Sequence, residues 1–172
     1  MEGHPLWVYP KKNSELIEKV SEEFHLPPML ASILVSRGIT STKDIHDYLY
    51  AKLPDLHDPY LFQEMPQALE RIAQAIKSQE HILVYGDNDV DGMTGTALLA
   101  EFLHFVGANV HYYISNRTAL LRQSMILDAL EFALRNHCTL LITVDCGITA
   151  AEHIEEAVRN KIDVIITDHH EP

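Results

Sequence analysis

The chain has 172 residues with 47% apolar composition, enough for one packed domain or for one domain preceded by a small helical segment. Its 13 Lys and Arg residues against 25 Asp and Glu residues give a net charge of −12, which disfavours long-range attraction to DNA and argues against a simple DNA-binding module. No stretch approaches the roughly 18 apolar residues of a membrane span, and the start lacks the apolar segment of a secretion signal, so a cytoplasmic protein is expected.

Residues 1–80 are predicted to form a region of short helices. Pro28 suits the first turn of a helix, and Gly38 suits the end of that helix. Ser41 is a suitable N-cap for a second helix that continues toward Tyr50. This pattern indicates packing rather than chemistry. Farther along, apolar residues at helical spacing predict another helix, and these are Leu69, Ile72, Ala73 and Ile76.

Residues 81–172 are predicted to form an α/β domain. Short β-rich runs alternate with helical segments, and the runs begin about every 25 to 30 residues, the length of a βαβ unit. Because the runs are almost continuously apolar, the fold class is a parallel sheet with helices on both faces. The predicted strands span residues 82–85, 110–114, 140–144 and 164–167, and the predicted helices span residues 94–106, 124–136 and 150–160.

Polar side chains follow every predicted strand. The first strand is followed by Asp87, Asp89 and Asp91, and these alternate side chains would point the same way if the chain stays extended there. Ligands bind beyond the carboxyl ends of the strands in open parallel sheets, so the strand ends together predict one site. The other strand ends supply Asn116, Arg117, Asp145, Asp168, His169 and His170.

Carboxylates and imidazoles gathered at one sheet edge predict a metal centre. Carboxylates held close together repel one another and need a compensating cation. Oxygen ligands with imidazole favour Mn²⁺ or Mg²⁺ over a Zn²⁺ ion held by thiolates. Two such ions about 3.5 to 4 Å apart would activate water and clamp a phosphoester, so phosphoester hydrolysis is the predicted reaction. The candidate catalytic residues are Asp87, Asp89, Asp91, Asp145, Asp168, His169 and His170, and all except Asp168 are candidate metal ligands.

Four residues are candidates for holding the substrate. The backbone N–H groups of Gly92 and Gly95, at the start of a helix, could hold a phosphate. Close packing of the helix on a strand explains these glycines equally well. Arg117 could clamp a second phosphate through its planar guanidinium, with Asn116 beside it, although a lone loop arginine is commonly just solvated. Asp145 by itself is explained equally well as a helix N-cap.

Three alternative sites fit the sequence less well. The first acidic cluster matches the start of a calcium-binding EF-hand loop, but Leu98 stands where that loop has its bidentate glutamate. A phosphatase with an aspartyl-phosphate intermediate would also place Asp-x-Asp after a first strand, but the histidine-containing cluster is then unexplained. Cys138 and Cys146 form no C-x-x-C motif and flank one predicted strand, so free thiols are expected, with neither acting as a nucleophile.

Successive segments of the chain resemble the DHH phosphoesterase superfamily and, within it, the RecJ-type single-stranded-DNA exonucleases. The most specific are ILVYGDNDVDG, VHYYISNR, LLITVDCGIT and IDVIITDHHEP, and the matched segments together cover most of residues 30–172. The resemblance implies 5′ to 3′ hydrolysis of single-stranded DNA in repair and recombination, with single-strand-binding or replication and repair proteins as partners. It also implies two Mn²⁺ or Mg²⁺ ions per site. The implied ligands are Asp89, Asp91, Asp145 and His169, with Asp87, Asp168 and His170 as ligands or their immediate supports.

The chain departs from the RecJ-type pattern in two places. A Glu-Gly-Tyr-Gly-like loop is expected after Arg117, but residues 118–124 read TALLRQS. RecJ-like proteins continue with a further metal-binding Asp and a second domain, so the chain is expected to be an amino-terminal portion with little activity of its own. Two other functions remain open. One is a DHH phosphoesterase for short oligonucleotides or cyclic dinucleotides, which suits the acidic chain, and the other is a non-catalytic DHH scaffold in a replication complex.

Overall fold

The computed structural model describes residues 13–114 and 125–171, which fall into two compact units divided after Asp58. The first unit contains three helices, α1 (Ser14–Glu23), α2 (Pro28–Ser36) and α3 (Thr42–Tyr50), followed by a 3₁₀ turn at Leu53–Asp55. The side chain of Ser41 accepts a hydrogen bond from the backbone N–H of Asp44 at 3.0 Å, which confirms the predicted N-cap of α3. The helices enclose a small core of Val20, Ala31, Leu34 and Ile45.

The second unit is a parallel α/β domain. Its four strands are β1 (His81–Gly86), β2 (Asn109–Ile114), β3 (Cys138–Val144) and β4 (Asp163–Thr167). They pair in the order β2-β1-β3-β4, and every pairing is parallel. The helices are α4 (Met65–Lys77), α5 (Val90–Phe105), α6 (Met125–Arg135) and α7 (Ala151–Arg159), and a 3₁₀ turn at Pro59–Leu61 precedes them.

Two apolar cores cover the two faces of the sheet, because side chains alternate along each strand. Burial of each aliphatic side chain stabilises the fold by roughly 1.5–3 kcal/mol. The parallel sheet with helices on both faces confirms the predicted fold class. One core combines Ile82, Val84, Leu140 and Ile142 of the sheet with residues of α4 and α5; the other combines Leu83, Tyr85 and Leu141 with residues of α6 and α7.

Helix α4 belongs to the same compact unit as the sheet, so the predicted boundary at residue 80 lies inside this unit, between α4 and β1. The guanidinium of Arg71 on α4 lies 2.7 Å from the carboxylate of Glu80 and 2.6 Å from that of Asp163 at the start of β4. Both contacts lie at the amino ends of the strands, opposite the predicted site. Across the described ranges, no helix has both the length and the apolar composition needed to cross a bilayer.

Candidate metal centre

The carboxyl ends of β1, β3 and β4 lie side by side because the parallel hydrogen-bond ladder continues one residue past the strands. The N–H of Asp87 donates to the carbonyl of Val144 at 3.3 Å, and the N–H of Asp145 donates to the carbonyl of Thr167 at 2.8 Å. The acidic segments that follow the three strands are therefore neighbours at one edge of the sheet, as expected for a ligand site in a parallel sheet.

The chain does not stay extended through residues 87–91, which corrects the geometry expected from the sequence. Helix α5 begins at Val90, and Asp89 is its N-cap, accepting a hydrogen bond from the N–H of Gly92 at 3.0 Å. Asp91 lies in the first turn of the helix, while Asp87 accepts a hydrogen bond from the N–H of Asn88 at 2.7 Å. Capping by Asp89 satisfies a helix-end donor, so the helix starts four residues earlier than the predicted start at residue 94.

Asp145, His169 and His170 come together with their ligand atoms all within 4.8 Å of one another. Nε2 of His169 lies 3.0 Å from Oδ1 of Asp145 and 3.7 Å from Oδ2 of Asp91. The rings of His169 and His170 are stacked, with centroids 4.7 Å apart. Side chains from the ends of β3 and β4 and from the first turn of α5 therefore converge on one point.

Asp145 is the buried member of this cluster, at 7% exposure. Burial raises the pKa of its carboxyl above the ordinary value, and the nearby carboxylates of Asp89 and Asp91 raise the pKa further. Its Oδ1 has no hydrogen-bond partner among the described residues, because the contact with His169 is close but lacks hydrogen-bond geometry. The backbone of Asp145 also has φ +61, a left-handed conformation that Asp tolerates better than most residues.

These residues fit a hard divalent cation. The buried carboxylate oxygen of Asp145 accepts no hydrogen bond from the described residues, and it lies next to two further carboxylates and the imidazole nitrogen of His169. This set of acceptors suits a cation. Oxygen with imidazole is a donor set suited to Mn²⁺, with Mg²⁺ also compatible. Asp91 and His169 are largely exposed, at 74% and 72% of their side chains, so this side of the cluster faces solvent in the described part of the chain.

Asp168 lies beside the cluster and is tied to its neighbours by hydrogen bonds. Its Oδ2 accepts from the N–H of Ile148, and its Oδ1 accepts from the N–H of His170, both at 3.0 Å. The same Oδ1 lies 2.7 Å from Nδ1 of His170. Burial acts to raise the pKa of Asp168, but these hydrogen bonds outweigh it and hold the pKa below its ordinary value. The contacts orient the ring of His170 and connect the loop after β3 to the end of β4.

Glycines near the centre are explained by close packing. A Cβ added at Gly92 would lie 2.4 Å from the backbone oxygen of Asp87, and one added at Gly95 would lie 2.8 Å from the side chain of Val144. The N–H of Gly92 already donates to Asp89. Close packing against the loop residue Asp87 and against strand β3 therefore accounts for the two glycines, while phosphate binding by their N–H groups stays a prediction.

Two of the predicted substrate-binding residues, Asn116 and Arg117, lie outside the described residues. Sequence reasoning missed Asn88, whose Oδ1 is buried without a hydrogen-bond partner in the described ranges. It also missed the backbone N–H of Ile148, and no side-chain pattern could have indicated that group. The two cysteines are free, as predicted, and burial raises the pKa of the Cys146 thiol to about 12, which does not suit a nucleophile.

Comparison with known proteins gives one consistent result. The sequence profile of the DHH family, N-terminal domain, matches residues 81–172. The single-stranded-DNA-specific exonuclease RecJ of Bacillus subtilis is 36% identical over 166 residues, which is 96% of this chain and 21% of that protein. The RecJ proteins of Thermus thermophilus and Escherichia coli are 37% and 30% identical over 62% and 94% of this chain. This chain covers 16% of the Thermus protein and 27% of the Escherichia protein, so it spans only a minor part of these relatives.

Solved structures agree with the sequence matches. A crystal structure of exonuclease RecJ bound to manganese has a TM-score of 0.52 and 37% identity, covering 62% of this chain and 27% of that chain. A RecJ structure from Thermus thermophilus in complex with Mn²⁺ has a TM-score of 0.57 and 31% identity, covering 92% of this chain and 21% of that chain. At these identities the likeness extends beyond a shared arrangement of helices and strands.

Proposed function

This chain belongs to the DHH family, and we propose that it hydrolyses phosphodiester bonds of single-stranded DNA with two Mn²⁺ or Mg²⁺ ions per site. The observation that carries the proposal is the buried carboxylate of Asp145, whose Oδ1 accepts no hydrogen bond from the described residues and lies 3.0 Å from Nε2 of His169. Similar proteins are named as RecJ exonucleases, and two similar RecJ structures are described as bound to manganese. These likenesses support Mn²⁺ as the first ion to test.

The residues of the candidate metal centre would have different roles. Asp89, Asp91, Asp145 and His169 would hold the ions. His170, whose ligand atom lies in the same cluster, and Asp87 are further candidate ligands. When bound, divalent ions lower the pKa of water and neutralise charge on a phosphodiester. Asp168 holds the ring of His170 through Nδ1, which leaves Nε2 as the nitrogen available to an ion or to a phosphate oxygen. In the reaction, water oxygen bonds to phosphorus, and the bond from phosphorus to the leaving-group oxygen breaks.

The substrate is proposed from the names of similar proteins, three of which are called specific for single-stranded DNA. From the RecJ-type resemblance of the sequence we propose 5′ to 3′ degradation in DNA repair and recombination in the cytoplasm. The charge of −12 opposes the approach of DNA, so binding by this chain alone is expected to be weak and to require metal. Single-strand-binding or replication and repair proteins are the proposed partners that would deliver the strand.

Hydrolysis of labelled single strands tests the proposal. The chain is incubated with Mn²⁺ and a strand carrying either a 5′ or a 3′ label, and the released products are separated by size. Asp145→Asn serves as the matched control because it keeps the shape of the side chain and removes its charge. Because the sequence predicts little activity from this chain alone, slow release of mononucleotides from the 5′ end, seen only with the unmodified chain, supports the proposal. Release that is the same in Asp145→Asn, or in chelator, contradicts it.

A second candidate is hydrolysis of short oligonucleotides or cyclic dinucleotides, and the acidic charge of the chain favours it. A short substrate carries few phosphates and therefore meets less long-range repulsion than a long strand. Turnover of di- to pentanucleotides that exceeds turnover of long strands at equal phosphate concentration would favour this function. Metal binding with no hydrolysis of either substrate would favour a non-catalytic scaffold.

A further inference from the structure

Helices α6 and α7 form an open groove with a volume of about 460 Å³ on the face of the sheet that carries them. Its floor is a row of leucines on α6, namely Leu127, Leu130 and Leu134. Leu130 is buried, but Leu127 and Leu134 remain 45% and 43% exposed. An apolar strip that stays exposed in a folded domain is a common feature of a binding surface.

Acidic side chains also line the groove. They are Glu131 on α6 and Glu152 and Glu156 on α7, and we call these three residues its acidic rim. Glu131 pairs with Arg135, and Glu156 pairs with Arg159, but these side chains are between 45% and 79% exposed, so a partner's cations can replace such contacts at little cost. Glu152 has no ion-pair partner among the described residues. Helices α6 and α7 together carry five acidic residues and two arginines.

We propose that this groove binds a basic amphipathic helix of a partner protein. The three leucines are spaced three and four residues apart on one helix face, which matches the spacing of the anchors on an amphipathic helix laid against them. Lysines or arginines flanking those anchors would face Glu131, Glu152 and Glu156. Such an interface usually has apolar anchors at its centre and complementary charges at its edge.

The charge of the rim argues against other occupants. Nucleic acid would meet three carboxylates and a chain of net charge −12. A second copy in a two-fold contact would place the same acidic rim against itself, which is repulsive at close range. His153 also lines the groove.

The test uses a designed peptide of about 18 residues, long enough to form a helix when bound. It carries leucines at the spacing of α6 and lysines on the flanking positions, and a matched peptide carries glutamates instead of lysines. Fluorescence anisotropy measures the affinity of each labelled peptide for the full chain at low and high salt. Glu152→Lys and Leu134→Gln alter the groove, while Glu101→Lys and Leu98→Gln make the same changes at exposed positions of α5, on the other face of the sheet.

The lysine peptide is expected to bind the unmodified chain and to weaken at high salt. Each groove variant should weaken binding by about tenfold or more, with little change in the two α5 variants. Absence of binding, equal binding of the glutamate peptide, or equal losses in the α5 variants would overturn the proposal. Self-association of the unmodified chain that Glu152→Lys abolishes, measured by sedimentation, would assign the groove to contacts between copies and would also overturn it.

Discussion

Oδ1 of Asp168 lies 2.7 Å from Nδ1 of His170, while its other oxygen accepts a hydrogen bond from the N–H of Ile148. One side chain therefore sets the orientation of an imidazole and anchors the loop after β3. The hydrogen bond fixes the proton of His170 on Nδ1, because the carboxylate can only accept, and leaves Nε2 directed elsewhere. We therefore predict that Asp168 positions His170 and does not bind an ion directly.

Replacement of Asp168 should weaken metal binding indirectly. Asp168→Ala is expected to lower Mn²⁺ affinity by about 10- to 100-fold, the range found when outer partners of a ligand are removed. Calorimetric titration with Mn²⁺ measures the change, and thermal unfolding in chelator checks that the variant is folded. Asp128→Asn on α6 is the control for loss of a distant carboxylate. A loss as large as that in His169→Ala would identify Asp168 as a direct ligand instead.

Any side chain at Gly92 should destabilise the fold. A Cβ there would lie 2.4 Å and 2.7 Å from backbone atoms of Asp87, and backbone cannot move aside as a flexible side chain can. Gly92→Ala is therefore expected to cost about 3 kcal/mol or more in the free energy of unfolding. Gly107 has φ +86 and nothing within 4 Å of the added Cβ, so Gly107→Ala should cost only about 1–2 kcal/mol. Urea denaturation measures the free energy of unfolding of both variants. Equal losses in Gly92→Ala and Gly107→Ala would contradict a steric clash at Gly92.

Glu80 should make the fold sensitive to acid. Its carboxylate accepts hydrogen bonds from Thr139 and Arg71, and these contacts hold its pKa below the ordinary value. A carboxyl with a lowered pKa stabilises the fold above its unfolded pKa, and this contribution is lost as the pH falls through the folded pKa. Glu80→Gln is expected to cost about 1 kcal/mol at pH 7, with the difference from the unmodified chain shrinking in acid. Glu70→Gln, at an exposed position on α4, is the control in chemical denaturation across pH.

The strands could be predicted from the sequence because each is a short apolar run that ends in polar residues. Observed and predicted strands differ by at most two residues at an end, for example Cys138–Val144 against residues 140–144. The condition that residues 87–91 stay extended is not met, because Asp89 accepts a hydrogen bond from the N–H of Gly92 and the helix begins at Val90. The approach of Asp91 to His169 depends on how α5 and the end of β4 sit on the sheet, which no local pattern encodes.

Asp89 should have two separable roles. It caps α5 through Gly92 and contributes negative charge beside Asp145. Asn caps a helix as well as Asp does, so Asp89→Asn is expected to lose Mn²⁺ affinity with little change in stability in chelator. Asp89→Ala should lose the same affinity and also about 1 kcal/mol of stability. Titration with Mn²⁺ and thermal unfolding in chelator separate the two effects, and full Mn²⁺ affinity in Asp89→Asn would remove Asp89 from the set of ligands.

Asp145→Asn should stabilise the metal-free protein and destabilise the metal-loaded one. In the absence of a cation, burial disfavours the charged carboxylate of Asp145, and Asp89 and Asp91 also repel it. Both effects raise its pKa. Asparagine removes the charge, keeps nearly the same shape and also tolerates the left-handed backbone at this position. The melting temperature in chelator is therefore expected to rise above that of the unmodified chain. Saturating Mn²⁺ should reverse the order of the two melting temperatures, because only the unmodified chain gains stability from tight binding of the ion.

Thermal unfolding of both proteins, with chelator and with Mn²⁺, measures the four melting temperatures. If Asp145→Asn is less stable than the unmodified chain in chelator, favourable contacts stabilise the Asp145 carboxylate without a cation, and the prediction is wrong.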